Sequence, residues 1–149
     1  MSNDLKKDLR RIARMMVLKK LVCKDHYLNA LHDYLSNRLS PSEVEALYHV
    51  GRSAIRGIMA RIGSSLTRRM FALGIIEAVM EMDIQCLVEL KGLTRFVCLL
   101  CDKEYDNVFP EDHMLKRHRQ LVETYVDEAI KRLASKKTNP FMGRVVVNA

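Results

Sequence analysis

The sequence lacks an apolar run long enough to cross a membrane. Its longest apolar stretch, residues 70–82, contains a glycine and two glutamates, whereas a membrane-spanning helix needs about 18 consecutive apolar residues. The N-terminus is basic, but Asp4 and Asp8 lie among its lysines and arginines and no apolar block follows, which is unlike a signal peptide. We therefore expect a soluble, unprocessed protein without a membrane partner.

The sequence also lacks the local motifs of the common enzyme classes. It has no glycine-rich phosphate loop, no nucleophile elbow and no pair of carboxylates arranged for acid–base catalysis. It contains no internal repeat and no low-complexity segment. These absences predict that the protein is not an enzyme and has no small-molecule substrate.

Cysteine is scarce, with four residues in a chain of 149. Cys23 and Cys86 are isolated, whereas Cys98 and Cys101 form a C-x-x-C pair. Secreted proteins stapled by disulfides have denser cysteine patterns, so this pattern fits a reducing compartment and metal binding. We expect Cys23 and Cys86 to pack as small apolar residues. We expect the protein to be intracellular, in the cytoplasm or associated with the nucleoid.

Basic residues, by contrast, are in surplus. The 25 lysines and arginines exceed the 18 aspartates and glutamates, which gives a net charge of +7. A surplus of this size favours acidic partners, with nucleic acid ahead of anionic lipid. The charge alone identifies neither partner.

Hydrophobic periodicity predicts a mainly α-helical fold. Ser40 and Glu43 can form a capping box around Pro41, which marks a helix start. Lys91 and Gly92 form a two-residue turn between two short apolar segments, which predicts a β-hairpin. The predicted helices cover residues 3–22, 25–37, 41–48, 52–62, 65–82 and 111–135, and the predicted strands cover residues 84–90 and 93–98.

These elements divide the chain into three parts. We expect residues 1–83 to form a helical bundle and residues 84–136 a hairpin joined to a long C-terminal helix. Residues 137–149 are expected to form a flexible tail, in which the valines at 145–147 could add an edge strand. The helix over residues 65–82 is the most apolar, and such a helix is buried either in the core or in a dimer interface.

A C-x-x-C pair at the end of the predicted hairpin is followed by two histidines about one helical turn apart. Two thiolates and two imidazoles supply the four tetrahedral ligands that zinc prefers. Phe96 before the pair and Tyr105 after it would form the apolar plug of such a small unit. Residues 96–118 therefore resemble a two-cysteine, two-histidine zinc finger, and the resemblance implies Zn²⁺ bound by Cys98, Cys101, His113 and His118.

This zinc-finger-like segment departs from the family in two ways. Eleven residues separate Cys101 from His113 where the family usually has twelve, and Pro110 replaces the usual leucine, which predicts a late-starting or distorted helix. The positions with which DNA-reading members contact bases are Asp106, Phe109 and Asp112, and the two carboxylates repel phosphate. We therefore expect the zinc to staple the hairpin to the C-terminal helix, or to form a protein-binding surface.

A second set of apolar residues has the spacing of a DNA-binding motif. Its buried frame would be Val44, Tyr48, Val50, Ile55 and Ile58. On this frame residues 42–61 resemble the helix-turn-helix of bacterial and archaeal DNA-binding proteins, although Glu45 stands where a small residue is usual and His49 replaces the turn glycine. The resemblance and an acid-free stretch from residue 51 to 70 imply nucleic-acid contacts by Arg52, Ser53, Arg56, Arg61, Arg68 and Arg69.

These features predict a DNA-binding regulator of transcription with a structural zinc site, which would bind duplex DNA as a homodimer through residues 65–82. One alternative leaves residues 42–61 as two core helices with solvated arginines on their outer face. Another is a basic structural or assembly protein, of viral or mobile-element type, that binds nucleic acid or an acidic protein without sequence specificity. A discrete dimer would favour the regulator, and large assemblies would favour the structural role.

Overall fold

The computed structural model describes residues 3–137 of the chain. The fold is mainly α-helical, as predicted, and the described part contains seven helices and one small antiparallel sheet. The helices are α1 (Asn3–Leu21), α2 (Asp25–Leu35), α3 (Pro41–Tyr48), α4 (Arg52–Ile62), α5 (Leu66–Glu81), α6 (Pro110–Arg117) and α7 (Arg119–Lys137). The strands are β1 (Val88–Leu90), β2 (Arg95–Cys98) and β3 (Lys103–Asp106). The tail and its three valines lie outside the described residues.

Helix α5 lies at the centre of the helical layer. It packs against α1, α2, α4 and α7, and α1 also packs against α7. Burial of Phe71, Ile75 and Ile76 in the core accounts for most of the apolar character of α5, whereas Leu66 and Met70 near its start remain exposed. No helix in the described part is long and apolar enough to span a membrane.

Two lysines interrupt the apolar stripe of α1, yet the helix continues to Leu21 because both lysines find acceptors. The ammonium of Lys20 donates to the carbonyl oxygens of Val79 at 3.3 Å and Met82 at 2.8 Å. It therefore adds a second donor to carbonyls at the C-terminus of α5 and places a positive charge at the negative end of that helix dipole. The Lys19 ammonium pairs with Glu111, 2.9 Å away.

The sheet has the order β1-β2-β3, and all its pairs are antiparallel. The predicted hairpin is present, but its first strand begins at Val88 rather than at residue 84. Its turn is also longer than predicted, because the Lys91 amide donates to Arg95 O at 2.9 Å and leaves three residues in the loop. The third strand, β3, was not predicted, since its sequence of alternating charge around one tyrosine has little apolar pattern.

The predicted C-terminal helix is two helices, which is a correction. Pro110 occupies the first turn of α6, where its missing N–H costs nothing. The helix therefore starts at the proline, earlier than expected. It ends at His118, whose φ of −129° and ψ of 37° are not helical, and α7 begins at the next residue. This break lets α7 leave in a new direction and pack along α1 and α5.

The hydrophobic core extends across the predicted boundary at residue 83. Met16 and Ile75 of the helical layer belong to the same buried cluster as Val88, Phe96 and Met114 from the second part of the chain. The sheet is also tied to α1 through its backbone, because the amide of Leu87 donates to Leu21 O at 2.8 Å. The zinc-finger-like segment is thus anchored to the helical layer.

Cys23 and Cys86 form a disulfide, with their Cα atoms 5.0 Å apart. Both residues pack against the hydrophobic core, as expected, but the bond between them was not predicted. Cys23 follows the end of α1 in a left-handed conformation, with φ of 66°, and Cys86 precedes β1. The bond reinforces the attachment of the sheet to α1. Sequence spacing gave no sign of it, because 63 positions separate the two residues.

Replacing both residues, as Cys23→Ser with Cys86→Ser, is expected to lower the free energy of unfolding by about 2–4 kcal/mol, since the bond restricts a long loop of the unfolded chain. Urea unfolding monitored by circular dichroism measures the change. Reductant should destabilise the native protein and leave the double variant unchanged. Thiols are then counted in the unsubstituted protein after it has been unfolded and treated with chelator. Four reactive thiols, rather than two, would contradict the disulfide.

Candidate zinc centre and basic helix surface

The two cysteines lie in a tight turn between β2 and β3. Cys98 ends β2 and is fully buried, and Cys101 follows after two exposed leucines. The amide of Cys101 lies 3.5 Å from Cys98 Sγ, and the amide of Asp102 donates to Cys98 O at 2.8 Å. Asp102 completes the turn in the left-handed region, with φ of 57°. The backbone thereby turns both sulfurs toward one point.

Helix α6 brings the two histidines to the same point. His113 lies in its second turn and His118 caps its C-terminus. The imidazole Nε2 of His118 lies 3.2 Å from Cys101 Sγ and 3.5 Å from Cys98 Sγ, and that of His113 lies 3.5 Å from Cys101 Sγ. One ligand atom from each of the four residues falls within 4.8 Å of every other.

These distances fit a tetrahedral zinc ion. Zinc–sulfur bonds of about 2.3 Å and zinc–nitrogen bonds of about 2.0–2.1 Å place sulfur and nitrogen about 3.6 Å apart at the tetrahedral angle. The observed separations of 3.2 to 3.5 Å are close to that value. Four protein ligands also leave no open position, which is typical of a structural rather than a catalytic zinc. The predicted ligands therefore come together as a group that is compatible with metal binding.

Aromatic rings enclose one side of this cluster. The Tyr105 ring lies 4.3 Å from the His113 ring between centroids, and Phe96 lies 5.4 Å from Tyr105. His113 is the one polar residue classed as buried in the described part. Burial raises the pKa of the Cys98 thiol and lowers the pKa of the His113 imidazole. A divalent cation would stabilise the Cys98 thiolate, which burial alone disfavours.

An ion-pair cluster joins α6 to the end of α1. The Glu111 carboxylate lies 2.9 Å from the Lys19 ammonium and 3.2 Å from the Lys24 ammonium. Burial alone would raise the pKa of Glu111, but the two lysines outweigh it and hold that pKa below its ordinary value. The helix that carries both histidines is therefore fixed to the helical layer by charge as well as by apolar contact.

The six predicted nucleic-acid contacts fall into two groups. Arg52, Ser53 and Arg56 are exposed on the first half of α4, beside a groove of about 300 Å³ between α2, α3 and α4. The other three lie around the junction between α4 and α5. There Arg61 contacts the sulfur of Met15 and Arg68 pairs with Asp8, while Arg69 is exposed.

The exposed face of α4 combines arginines with small residues. Ser53, Gly57 and Ala60 are exposed at helical spacing, and Arg56 lies beside them without an ion pair in the described residues. A Cβ atom built on Gly57 meets nothing within 4 Å, so packing within the chain does not require glycine there. The first turn of α4 contains no acidic residue. This face is therefore open, and its charge is positive.

The turn between α3 and α4 explains both departures from the helix-turn-helix pattern. His49 adopts the left-handed conformation, with φ of 58°, so it takes the backbone geometry that favours glycine. The Glu45 carboxylate accepts a hydrogen bond from the Arg52 amide at 2.9 Å and caps the start of α4. Four of the five predicted frame residues are buried, and the fifth, Tyr48, is half-buried and bonds to Asp33 through its hydroxyl.

The basic face of α1 is largely neutralised. Arg10 pairs with Asp127 at 2.7 Å and with Glu123 at 3.3 Å, and Arg14 also pairs with Glu123. These pairs fix α7 along α1. Sequence reasoning missed them because more than 100 residues separate the partners. Lys6 and Lys7, on the same helix, remain exposed.

No family model, curated protein or solved structure matches this chain.

Proposed function

We propose that this protein is a DNA-binding regulator of transcription that docks the exposed face of α4 on duplex DNA, with zinc as a structural ion. One observation carries the proposal. The exposed face of α4 presents Arg56 and small side chains, without an acidic residue on the helix. Arginine binds guanine edges or phosphates through two hydrogen bonds, and small side chains let a helix approach a groove closely.

Three further features support this role for α4. Arg52 and Ser53 stand at its N-terminus, where the helix dipole favours phosphate, although the Glu45 carboxylate already caps the Arg52 amide. The left-handed His49 gives the turn after α3 the backbone conformation of the glycine that is usual in a helix-turn-helix. Arg52 is paired with Glu45 at 3.6 Å, but both side chains are about half exposed. Such a pair is worth about 1 kcal/mol or less and does not prevent a phosphate contact.

The proposal is tested with duplex DNA at low salt. We expect binding that weakens steeply as salt rises, with a slope that falls by about 0.9 for each phosphate contact removed. The variant with Arg52→Ala and Arg56→Ala is expected to bind at least about tenfold more weakly, because each arginine contact to a base is worth about 1–3 kcal/mol. Fluorescence anisotropy measures both effects.

Lys131→Ala combined with Arg132→Ala is the matched control, because it also removes two positive charges, in this case from α7. Unchanged binding of the double arginine variant would reject docking through α4. Sizing of the free protein separates the two predicted roles. A discrete dimer, formed through exposed Leu66 and Met70 of α5, supports the regulator. Large or filamentous assemblies support the alternative structural role.

A further inference from the structure

A groove of about 400 Å³ lies beside the sheet, and none of the four metal-binding residues lines it. Its walls come from two loops that are distant in sequence, the β1–β2 turn and the segment that leads into α6. Its lining includes Lys24, Leu90, Leu93, Arg95, Val108 and Phe109. A volume of this size holds a few side chains of a partner.

The rim of the groove is unusually apolar for exposed loops. Leu93 at the tip of the turn is fully exposed, and Phe109 at the start of α6 is 73% exposed. Leu90 and Val108 are also exposed, and all four line the same groove. Single exposed leucines are common, but apolar side chains from two loops converging on one groove mark an interaction surface.

The charge of the groove limits what can occupy it. Its two charged lining residues, Lys24 and Arg95, are both cations. The Lys24 ammonium is already paired with Glu111, whereas Arg95 is exposed and has no ion pair within residues 3–137. One free guanidinium beside an apolar surface matches one carboxylate beside apolar side chains.

We propose that this groove binds a short apolar peptide segment of a partner protein, with one aspartate or glutamate of that segment paired to Arg95. A nucleic-acid strand would need a row of cations along its phosphates, and the groove offers one. A second copy of this chain is disfavoured because a two-fold contact would bring like charges together. Four exposed side chains also bury far less than the roughly 800 Å² per partner that a stable interface needs.

The experiment uses the full-length, zinc-loaded chain as bait for a displayed library of random short peptides. Enriched peptides are synthesised with a fluorophore and titrated by anisotropy. We expect them to combine large apolar residues with one acidic residue. The variant with Leu93→Ser and Phe109→Ser is expected to bind at least about tenfold more weakly, because exposed apolar anchors dominate such contacts. These side chains are exposed, so the variant should keep its fold and zinc content.

Two matched variants make the test specific. Arg95→Gln should abolish the preference for an acidic peptide over the same peptide with the corresponding amide. Leu66→Ser, which removes an exposed leucine from α5, should leave binding unchanged. The proposal is overturned if no peptide is enriched relative to the Leu93→Ser, Phe109→Ser variant. It is also overturned if a short oligothymidylate competes equally well, or if that variant changes the oligomeric state of the free protein.

Discussion

Chelation of zinc is expected to lower the free energy of unfolding by at least about 4 kcal/mol, because the ion binds the folded state alone. This value applies when the free zinc concentration before chelation is about a thousand times the dissociation constant. Loss of structure after chelation should begin in the sheet and α6. Without the ion, Cys98 is a buried thiol beside two histidines, and the turn between β2 and β3 loses its attachment to the helix. His118→Ala should reproduce most of the effect, since it removes one ligand and leaves an open site.

The measurements are metal content by elemental analysis, urea unfolding, and hydrogen exchange over residues 88–118. Cobalt substitution adds a spectroscopic test, because a tetrahedral site with two sulfurs and two nitrogens gives intense visible absorption. His26→Ala is the control, since it removes an exposed histidine of α2 outside the cluster. The structural zinc is refuted if the native protein contains no stoichiometric zinc and chelator does not change its free energy of unfolding.

Replacing Gly57 by leucine is expected to separate folding from DNA binding. A Cβ atom at this exposed position meets no other group within 4 Å, and glycine within a helix costs about 1 kcal/mol relative to alanine. Gly57→Leu should therefore be at least as stable as the native protein. On the proposed docking face, however, the leucine would stand between Ser53 and Ala60 and hold the helix away from the groove of the DNA. We expect DNA binding to fall at least about tenfold, as for other central interface positions.

Thermal unfolding and anisotropy titrations on the same preparations test both halves of this expectation. Ala134→Leu is the matched control, because it adds bulk at an exposed position of α7. It should change neither binding nor folding much. If Gly57→Leu binds DNA as tightly as the native protein, α4 does not enter a groove of the DNA, even if Arg56 proves to contact phosphate. Loss of stability would instead mean that the face of α4 is covered within the protein.

Sequence reasoning succeeded where the signal is local. The starts of α3 and α4 depend on residues within one or two turns, and Ser40, Pro41 and Glu43 form the predicted cap. The four metal-binding residues were found because their spacing is short and their chemistry is restrictive. The break at His118 was missed because helical periodicity continues on both sides of it.

Sequence reasoning failed where partners meet over long distances in the chain. The disulfide between Cys23 and Cys86 and the pairing of Arg10 with Asp127 depend on the fold, and neither has a local pattern. The same is true of the apolar groove, whose walls come from two loops. Glu45 was read as a steric departure, but its carboxylate caps α4. The interactions of Cys23, Cys86 and Glu45 depend on partners that the fold brings close, and these partners have no local sequence signal.

The disulfide and the metal cluster divide the chain into two closed circuits in succession. The first, between Cys23 and Cys86, contains α2 to α5 and thus the whole face of α4 proposed for DNA. The second, between Cys98 and His118, contains β3 and α6. A backbone cut inside the first circuit leaves the two pieces covalently joined until a reductant acts. If zinc binds as proposed, a cut inside the second leaves its two pieces linked through the ion until a chelator acts. The two halves of the molecule can therefore be opened independently, each by its own chemistry.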